Sequence, residues 1–275
     1  MTESVISDGS AFDALAADYD RREAGNPIMQ LMRARSLAVL ESTFPRGARL
    51  LDVGCGTGTE AIRLAKQGRT VLAVDSSPQM LEVLSRRVGE AEVQIPTRLL
   101  RAGDLHTLVS ELGEGSFDGA YSSFGALNTE PSLEPPLTAL SHLVRPGGRI
   151  VLSVMNRWCI AEMASLLVGG RANQAVRRTR SPLRVTVGSN VTEVWYPSWH
   201  RLRSALYPHF RPLHVQALTL LLLPYAWPAL SAHPRMYEVA RRLDGALACR
   251  RPFAWLGDHL LVVAESHAHP DKGSA

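Results

Sequence analysis

A run of small residues bounded by an apolar pentad and an amphipathic segment constrains this chain more than any other feature. Leu51-Asp52-Val53-Gly54-Cys55-Gly56-Thr57-Gly58 follows the apolar Arg49–Val53 and precedes a helical pattern from Thr59 to about Gln67. Glycines at such a strand-to-helix junction permit a tight turn and let a ligand approach the backbone, and the N–H groups opening the helix can bind a carboxylate. A second strand, Thr70–Val74, ends at Asp75, 21 residues after Gly54, where a carboxylate can accept hydrogen bonds from both hydroxyls of a ribose. Bend and aspartate together point to a nucleoside-containing cofactor.

The spacing bears on which cofactor. A dinucleotide fingerprint reads G-x-G-x-x-G, with its helix aimed at a pyrophosphate. Here the order is G-x-G-x-G, preceded by Asp52. A carboxylate beside the loop repels a pyrophosphate but suits the α-ammonium of a methionine moiety, so the order favours S-adenosyl-L-methionine over NAD(P).

Strands and helices alternate along the chain. Helical patterning covers about 11–23 and 27–43. Ser77-Pro78 opens a helix running to about Val88, since proline suits the first turn. Further strands are expected at Thr97–Arg101, Phe117–Tyr121 and Arg149–Val154, with a helix from about Leu133 to Val144 and a turn at Pro146-Gly147-Gly148. Such alternation implies an α/β fold with a mainly parallel sheet covered on both faces. After Met155 the rhythm breaks until a helix near Ser198–Tyr207. Two late strands, at about Arg211–Leu221 and His259–Ala264, complete the reading, with helix between Pro228 and Cys249.

The expected organisation is therefore N-terminal helices over 1–45 capping the cofactor site, a cofactor-binding core over 46–155, an insertion or lid over 156–195, the rest of the same domain over 196–266, and a disordered tail over 267–275. The insertion falls at the carboxyl end of strand five, the edge where open α/β sheets bind ligands.

Taken in order, LLDVGCGTG, VLAVDSSPQML, RAGDLHTL, SFDGAYSSFGALN and LVRPGGRIVLSV resemble the successive motifs of the class I, Rossmann-like S-adenosylmethionine-dependent methyltransferases, over about residues 49–155. FDALAADYD is similar to that family's capping helix, whose tyrosine matches Tyr19. The resemblance implies a seven-stranded, doubly wound sheet whose seventh strand is antiparallel, with a helical insertion after strand five. It implies that Asp52 and the backbone of Gly54, Gly56 and Gly58 hold the methionine moiety, Asp75 and Ser76 the ribose, and Met80 the adenine face, although Met80 fits core packing equally well. Asp104 and the backbone at Leu105 would meet the adenine edge. Ser122 would flank the methyl donor, with Phe124 and Asn128 turned toward the acceptor.

Catalytic and acceptor groups are less legible. His106, His142, His200, His209 and His214 read as surface or core residues before they read as bases, and no single base stands out. Trp158, Trp195, Tyr196 and Trp199 are candidates for an acceptor wall, with core packing the commoner role, and His200 joins Trp158 as a substrate-side candidate. Displacement at a sulfonium needs neither metal nor covalent intermediate, and a base only where the acceptor is a hydroxyl or protonated amine. Cys55, Cys159 and Cys249 lie far apart and form no CxxC or Cys/His cluster, so neither zinc nor a disulfide framework is expected, and a reducing, cytoplasmic setting fits.

The first 20 residues contain acidic groups and no apolar h-region, which argues against a secretory signal. Val215 to Leu230, interrupted by Pro224 and Pro228, is too short to span a membrane. Residues 1–155 carry a charge balance of −4 and residues 156–275 one of +8. That asymmetry favours an anionic or amphiphilic small-molecule acceptor, although a solvated basic surface explains it as well. Strand four is followed by Ser122-Ser-Phe-Gly rather than by the Asn/Asp-Pro-Pro-Tyr/Phe motif of amino-directed nucleic-acid enzymes, so nucleic acid is disfavoured. A cofactor-binding protein without catalysis and an NAD(P)-linked oxidoreductase remain the alternatives.

Overall fold

The computed structural model describes residues 10–188 and 190–267. A 3₁₀ turn, Ser10–Leu15, leads into α1 (Tyr19–Ala24) and α2 (Pro27–Thr43). Then come β1 (Arg49–Val53), α3 (Thr59–Lys66), β2 (Thr70–Asp75), α4 (Pro78–Ala91), β3 (Thr97–Leu99), α5 (His106–Leu112), β4 (Phe117–Ser122), α6 (Glu134–Leu143) and β5 (Val144–Met155). The second half holds α7 (Ile160–Val168), α8 (Ala172–Ala175), β6 (Leu183–Val187), β7 (Asn190–Val194), α9 (Trp199–Leu206), β8 (Phe210–Ala217), α10 (Trp227–Ser231), α11 (Pro234–Leu247) and β9 (His259–Ser266).

Seven strands form one sheet in the order β3-β2-β1-β4-β5-β9-β8. Strands β1 to β5 pair in parallel, and β9 runs antiparallel to both of its neighbours, β5 and β8. The strand order reverses between β1 and β4, which opens a crevice at their carboxyl ends. One face of the sheet packs against α5, α6 and α9 through residues such as Leu108, Leu140 and Leu202. The other packs against α2, α3 and α4 through Ile28, Met32, Leu64 and Leu84.

Local chemistry sets the helix starts. The Asn26 side chain accepts from Ile28 N at 3.0 Å with Pro27 in the first turn, and the Ser77 hydroxyl accepts from Met80 N at 3.1 Å with Pro78 following. Along α2, Ile28, Met32, Ser36 and Leu40 are buried at intervals of four, so a single stripe faces the sheet.

The structure departs from the sequence reading in four places. The N-terminal helix expected over 11–23 is a 3₁₀ turn and a short helix, separated by residues 16–18. Strand five begins at Val144, before the glycine pair: Val144 opposes Phe117 and Arg149 opposes Gly119, so Pro146-Gly147-Gly148 lies within a bulge rather than a turn ahead of the strand. The strand expected to reach Leu221 stops at Ala217, because the N–H groups of Leu220 and Leu221 are taken by the wholly buried Asp244 carboxylate. Finally, the insertion is helical only in its first part; β6 and β7 form an antiparallel hairpin apart from the main sheet. Of the tail expected to be disordered, residues 268–275 lie outside the described residues. Among the described residues, no helix is long and apolar enough to cross a membrane.

The insertion is fastened by charge. Arg178, almost wholly buried, reaches Glu162 Oε2 at 2.7 Å and Asp258 Oδ1 at 2.6 Å, and donates to the Asn156 carbonyl at 3.0 Å. Burial works against the Glu162 charge, but Arg177 and Arg178 hold its carboxyl below the ordinary range.

Gly119 in mid-β4 lets α2 seat on the sheet. A Cβ there would stand 2.4 Å from Phe44 Cε1 and 2.6 Å from the Arg149 carbonyl. Gly119→Ala is therefore expected to cost about 1–3 kcal/mol through overpacking, read as a lower urea midpoint with an unchanged denaturant slope.

Candidate cofactor and acceptor site

The bend after β1 forms because its first N–H groups are drawn sideways. Gly54 N and Cys55 N both donate to the Val74 carbonyl, at 2.8 and 3.0 Å. Gly54 holds φ +73°, and a Cβ on it would lie 2.1 Å from Ala126 Cβ, so the loop after β4 can approach only a glycine. Gly56 holds φ +52° with nothing within 4 Å of where its Cβ would project. Its amide donates to Asp75 Oδ2 at 2.7 Å, while Ser77 N donates to Oδ1 at 2.9 Å. Asp75 thus ties the bend to the start of α4.

Negative charge collects at the β1 end of the crevice. The Asp52 carboxyl is pushed well up by burial and by the nearby Glu60 carboxylate. Arg33 of α2 pairs with both Glu60 and Glu23, and its guanidinium lies 4.8 Å over the Phe124 ring. Glu23 is nevertheless raised, by burial and by Glu60 and Asp20 against the pull of Arg33. Burial and then Glu23 likewise raise the Tyr19 phenol. Three carboxylates around one guanidinium leave the pocket suited to a cation.

The N-terminal segment closes over this end. Asp13 accepts from the Ser77 hydroxyl, and Asp20 accepts from Thr57 Oγ1 at 2.6 Å and pairs with Arg87 at 3.0 Å. The hairpin of the insertion backs it: a Cβ on Gly188 would stand 2.9 Å from Ala14 Cβ.

The cleft so enclosed is lined by Phe12, Tyr19, Gly54, Gly56, Asp75, Ser76 and Met80, by Leu100 and Ala102 beyond β3, and by Ser123, Phe124, Gly125, Ala126, Met155 and Val194 at the other end. A narrower extension reaches Asp52, Arg33 and Glu60. Gly58 stands behind the bend as the left-handed N-cap of α3. Asp104 is exposed and Leu105 is wholly buried in the core, so neither side chain lines the cleft, where Ala102 faces instead. Ser122 is buried with its hydroxyl unpartnered, and Ser123 takes the lining position.

Asn128 does not turn toward an acceptor: its Oδ1 accepts from Met155 N at 2.8 Å and its amide donates to the carbonyls of Met155 and Trp195, so it pins the insertion to the end of β5. Trp158, 41% exposed, lies outside the cleft. His200 lines a separate depression with Trp195, Tyr196 and Arg201.

Several residues escaped the sequence reading. Glu23, Arg33 and Glu60 lie on three different helices, and their juxtaposition has no sequence signature beyond the four-residue spacing of Tyr19 and Glu23. Asp258 and His259 carry one faint signal, an Asp-His pair opening the last strand. His259 Nδ1 lies 2.8 Å from Asp258 Oδ2, and its ring packs edge-on against Phe124 with centroids 6.3 Å apart.

A doubly wound sheet with a cleft at its reversal, acidic at one end and covered by the N-terminal segment, has the architecture of the class I methyltransferase fold. Residues 50–148 match the family described as "Methyltransferase domain". A ubiquinone biosynthesis O-methyltransferase of Xanthomonas axonopodis pv. citri (strain 306) is 33% identical over 147 residues, 53% of this chain and 59% of that relative. The match thus spans under two thirds of the relative's length. Among solved structures, an S-adenosylmethionine-dependent methyltransferase from Mesorhizobium loti superposes with a TM-score of 0.54 at 22% identity, covering 83% of this chain and 96% of that one. The [4+2]-cyclase SpnF superposes with 0.55 at 15% identity, covering 86% and 81%. Residues 50–148 are therefore similar to the methyltransferase-domain family, and the chain shares the Rossmann-like fold of the solved methyltransferases.

The open space beyond Gly56 and the acidic surroundings of Asp52 fit S-adenosyl-L-methionine, which brings an α-ammonium and a sulfonium to the site. Because the Asp52 carboxyl ionises at higher pH in the folded chain than in the unfolded one, it favours folding below the unfolded carboxylate range and loses that contribution as pH rises through its raised value. Asp52→Asn is expected to raise the melting temperature of the free protein by about 2–4 °C at about pH 8, with no gain near about pH 4. With Asp52 as the partner the resemblance assigns to the cofactor's α-ammonium, the same change is expected to weaken S-adenosylhomocysteine binding by about 30-fold or more, the loss of one partner of a buried charge pair costing at least about 2 kcal/mol. Thermal unfolding and titration calorimetry check both halves.

Proposed function

We propose that this protein transfers a methyl group from S-adenosyl-L-methionine to a hydroxyl of a small-molecule acceptor, anionic or amphiphilic in character. The observation that carries the reading is the polarity of the cleft along its length. The narrow extension presents Asp52 and Glu60, the main cleft presents Met155 and Val194 together with Asp75 and Glu130, and Phe124 lines both. A cationic methionine end thereby meets the acidic extension, and Phe124 separates it from the Met155–Val194 face offered to the acceptor.

When bound, the cofactor supplies an activated sulfonium methyl group. The chain's own contribution is alignment, because positioning alone is worth on the order of 7–11 kcal/mol. Asp75, with Ser76 beside it, holds the ribose; Asp52 and the bend hold the methionine end. Asp104 and the backbone at Leu105 follow the cleft-lining Ala102 in the chain and are assigned to the adenine edge by the family resemblance. The N-terminal flap and the 156–195 insertion exclude water, the insertion by presenting Val194 to the cleft. The hydroxyl preference is supported by the O-methyltransferase relative, and the acceptor's charge by the +8 balance of residues 156–275.

A second reading is a protein that binds the cofactor without transferring its methyl group, since the same fold is also found in a protein described as a [4+2]-cyclase. Incubation with methyl-labelled adenosylmethionine and 3,4-dihydroxybenzoate, or its long-chain alkyl ester, separates the two. Transfer of label to the catechol with release of S-adenosylhomocysteine is expected. Tight S-adenosylhomocysteine binding with label remaining on the donor for both compounds sinks the acceptor reading and leaves the second.

A further inference from the structure

We propose that Glu130 selects the base of the cofactor, its carboxylate accepting a hydrogen bond from the exocyclic amino group of adenine. The inference rests on the cofactor-binding part of the reading above and is independent of the acceptor.

The cleft itself locates the base. Asp75, on which the ribose is placed, closes β2, and Leu100 N donates to the Asp75 carbonyl at 2.8 Å, so the chain leaving β3 passes beside the ribose position. Met80, Leu100 and Ala102 line this part of the cleft. Such apolar groups suit the two faces of a planar ring, while its polar edge needs a partner of its own. Two carboxylates line the main cleft, Asp75 and Glu130. Asp75 is taken by the bend and the ribose, which leaves Glu130 for the base.

Glu130 has the marks of a carboxylate kept for a ligand. Its side chain is only 7% exposed, and its ion pair with Arg101, Nη2 to Oε2, measures 3.5 Å, too long for a good hydrogen bond. Among the described residues, no group donates a hydrogen bond to either oxygen. A carboxylate withdrawn from water without donors is costly to the free fold. The turn it occupies does not require it, because backbone bonds make that turn: Asn128 N donates to the Gly125 carbonyl at 2.8 Å and Glu130 N to the Leu127 carbonyl at 3.3 Å. Core packing does not require it either, since Glu130 also borders the depression of Trp195 and Arg201 and so stands as a partition between two cavities.

The carboxylate turns toward the wall assigned to adenine. A Cβ on Gly103 would stand 2.9 Å from Glu130 Oε2 and 3.8 Å from Oε1, so the glycine after Ala102 leaves the room that the carboxylate fills. Asp104, one residue further on, is exposed and does not line the cleft. An amino group carries two N–H bonds, so one can meet Glu130 from within while the other faces outward toward Asp104. An ionised carboxylate only accepts hydrogen bonds. Glu130 therefore favours a 6-amino purine and opposes a 6-oxo purine, whose oxygen would set lone pair against lone pair.

Titration calorimetry with S-adenosylhomocysteine and S-inosylhomocysteine, which carries a 6-oxo group in place of the amino group, tests the assignment. The wild type should bind the adenosine compound at least about 30-fold more tightly, the range expected for a hydrogen bond to a charged group. Glu130→Gln, whose amide can both donate and accept, should lower that preference by about tenfold or more. A smaller wild-type preference, or a smaller loss in Glu130→Gln, overturns the proposal while leaving cofactor binding standing. If the wild type binds neither compound, the cofactor reading fails and the assignment of Glu130 with it. Should Glu130→Gln not fold, Gly103→Ala decides, since its Cβ displaces Oε2 without removing the carboxylate. A preference lowered by about threefold or more is then expected, and a smaller change overturns the proposal.

Discussion

Negative charge buried in excess at the carboxyl end of β1 is the constraint on which the rest of this site depends. Asp52, Glu60 and Glu23 are withdrawn from water around the single guanidinium of Arg33, and burial raises the Asp52 and Glu23 carboxyls because that charge is not fully matched within the chain. Buried carboxylates of this kind weaken the free fold unless a cation completes them. On the proposed function, a cofactor with an ammonium and a sulfonium supplies that cation, so the feature that costs the empty protein stability would also select the ligand.

The rest of the architecture keeps that charge in place. Asp75 draws in Gly56, and Ala126 presses on Gly54, so the bend has little room to relax. The N-terminal segment adds Asp13 to Ser77 and Asp20 to Thr57 and Arg87, latching α1 to the loops it covers. A flap held by such partly exposed polar contacts can open for ligand entry at lower cost than one held by a continuous apolar face.

The arginine excess of the distal half acquires a different meaning in three dimensions. Arg178 is buried between Glu162 and Asp258, Arg211 pairs with Glu265, and Arg241 and Arg242 share Glu238. These pairs draw on acidic residues that the +8 balance already subtracts, so they fasten the insertion to the start of β9 and brace β8 against β9 while the basic excess itself remains. Arg157 and Arg201 stand near each other, and burial and then Arg201 lower the Arg157 guanidinium, so some positive potential remains beside the Trp195–Tyr196 depression.

The sequence by itself determined the β/α alternation, the glycine bend, the aspartate at the tip of β2 and the presence of two late strands, because each is written in local turn chemistry or in a period of two or nearly four residues; the antiparallel direction of the last strand followed only from the family resemblance. Tyr19, Asp75, Ser76, Met80 and Phe124 were legible for the same reason, lying within contiguous motifs beside the bend. Tertiary structure alone decided the acidic cluster, the β6–β7 hairpin, the pinning role of Asn128 and the meeting of His259 with Phe124. Glu23, Arg33 and Glu60 come from three helices, and Arg178 lies 80 positions before Asp258. Pairings over such distances depend on which elements the sheet order makes neighbours, and no local pattern of residues encodes that order.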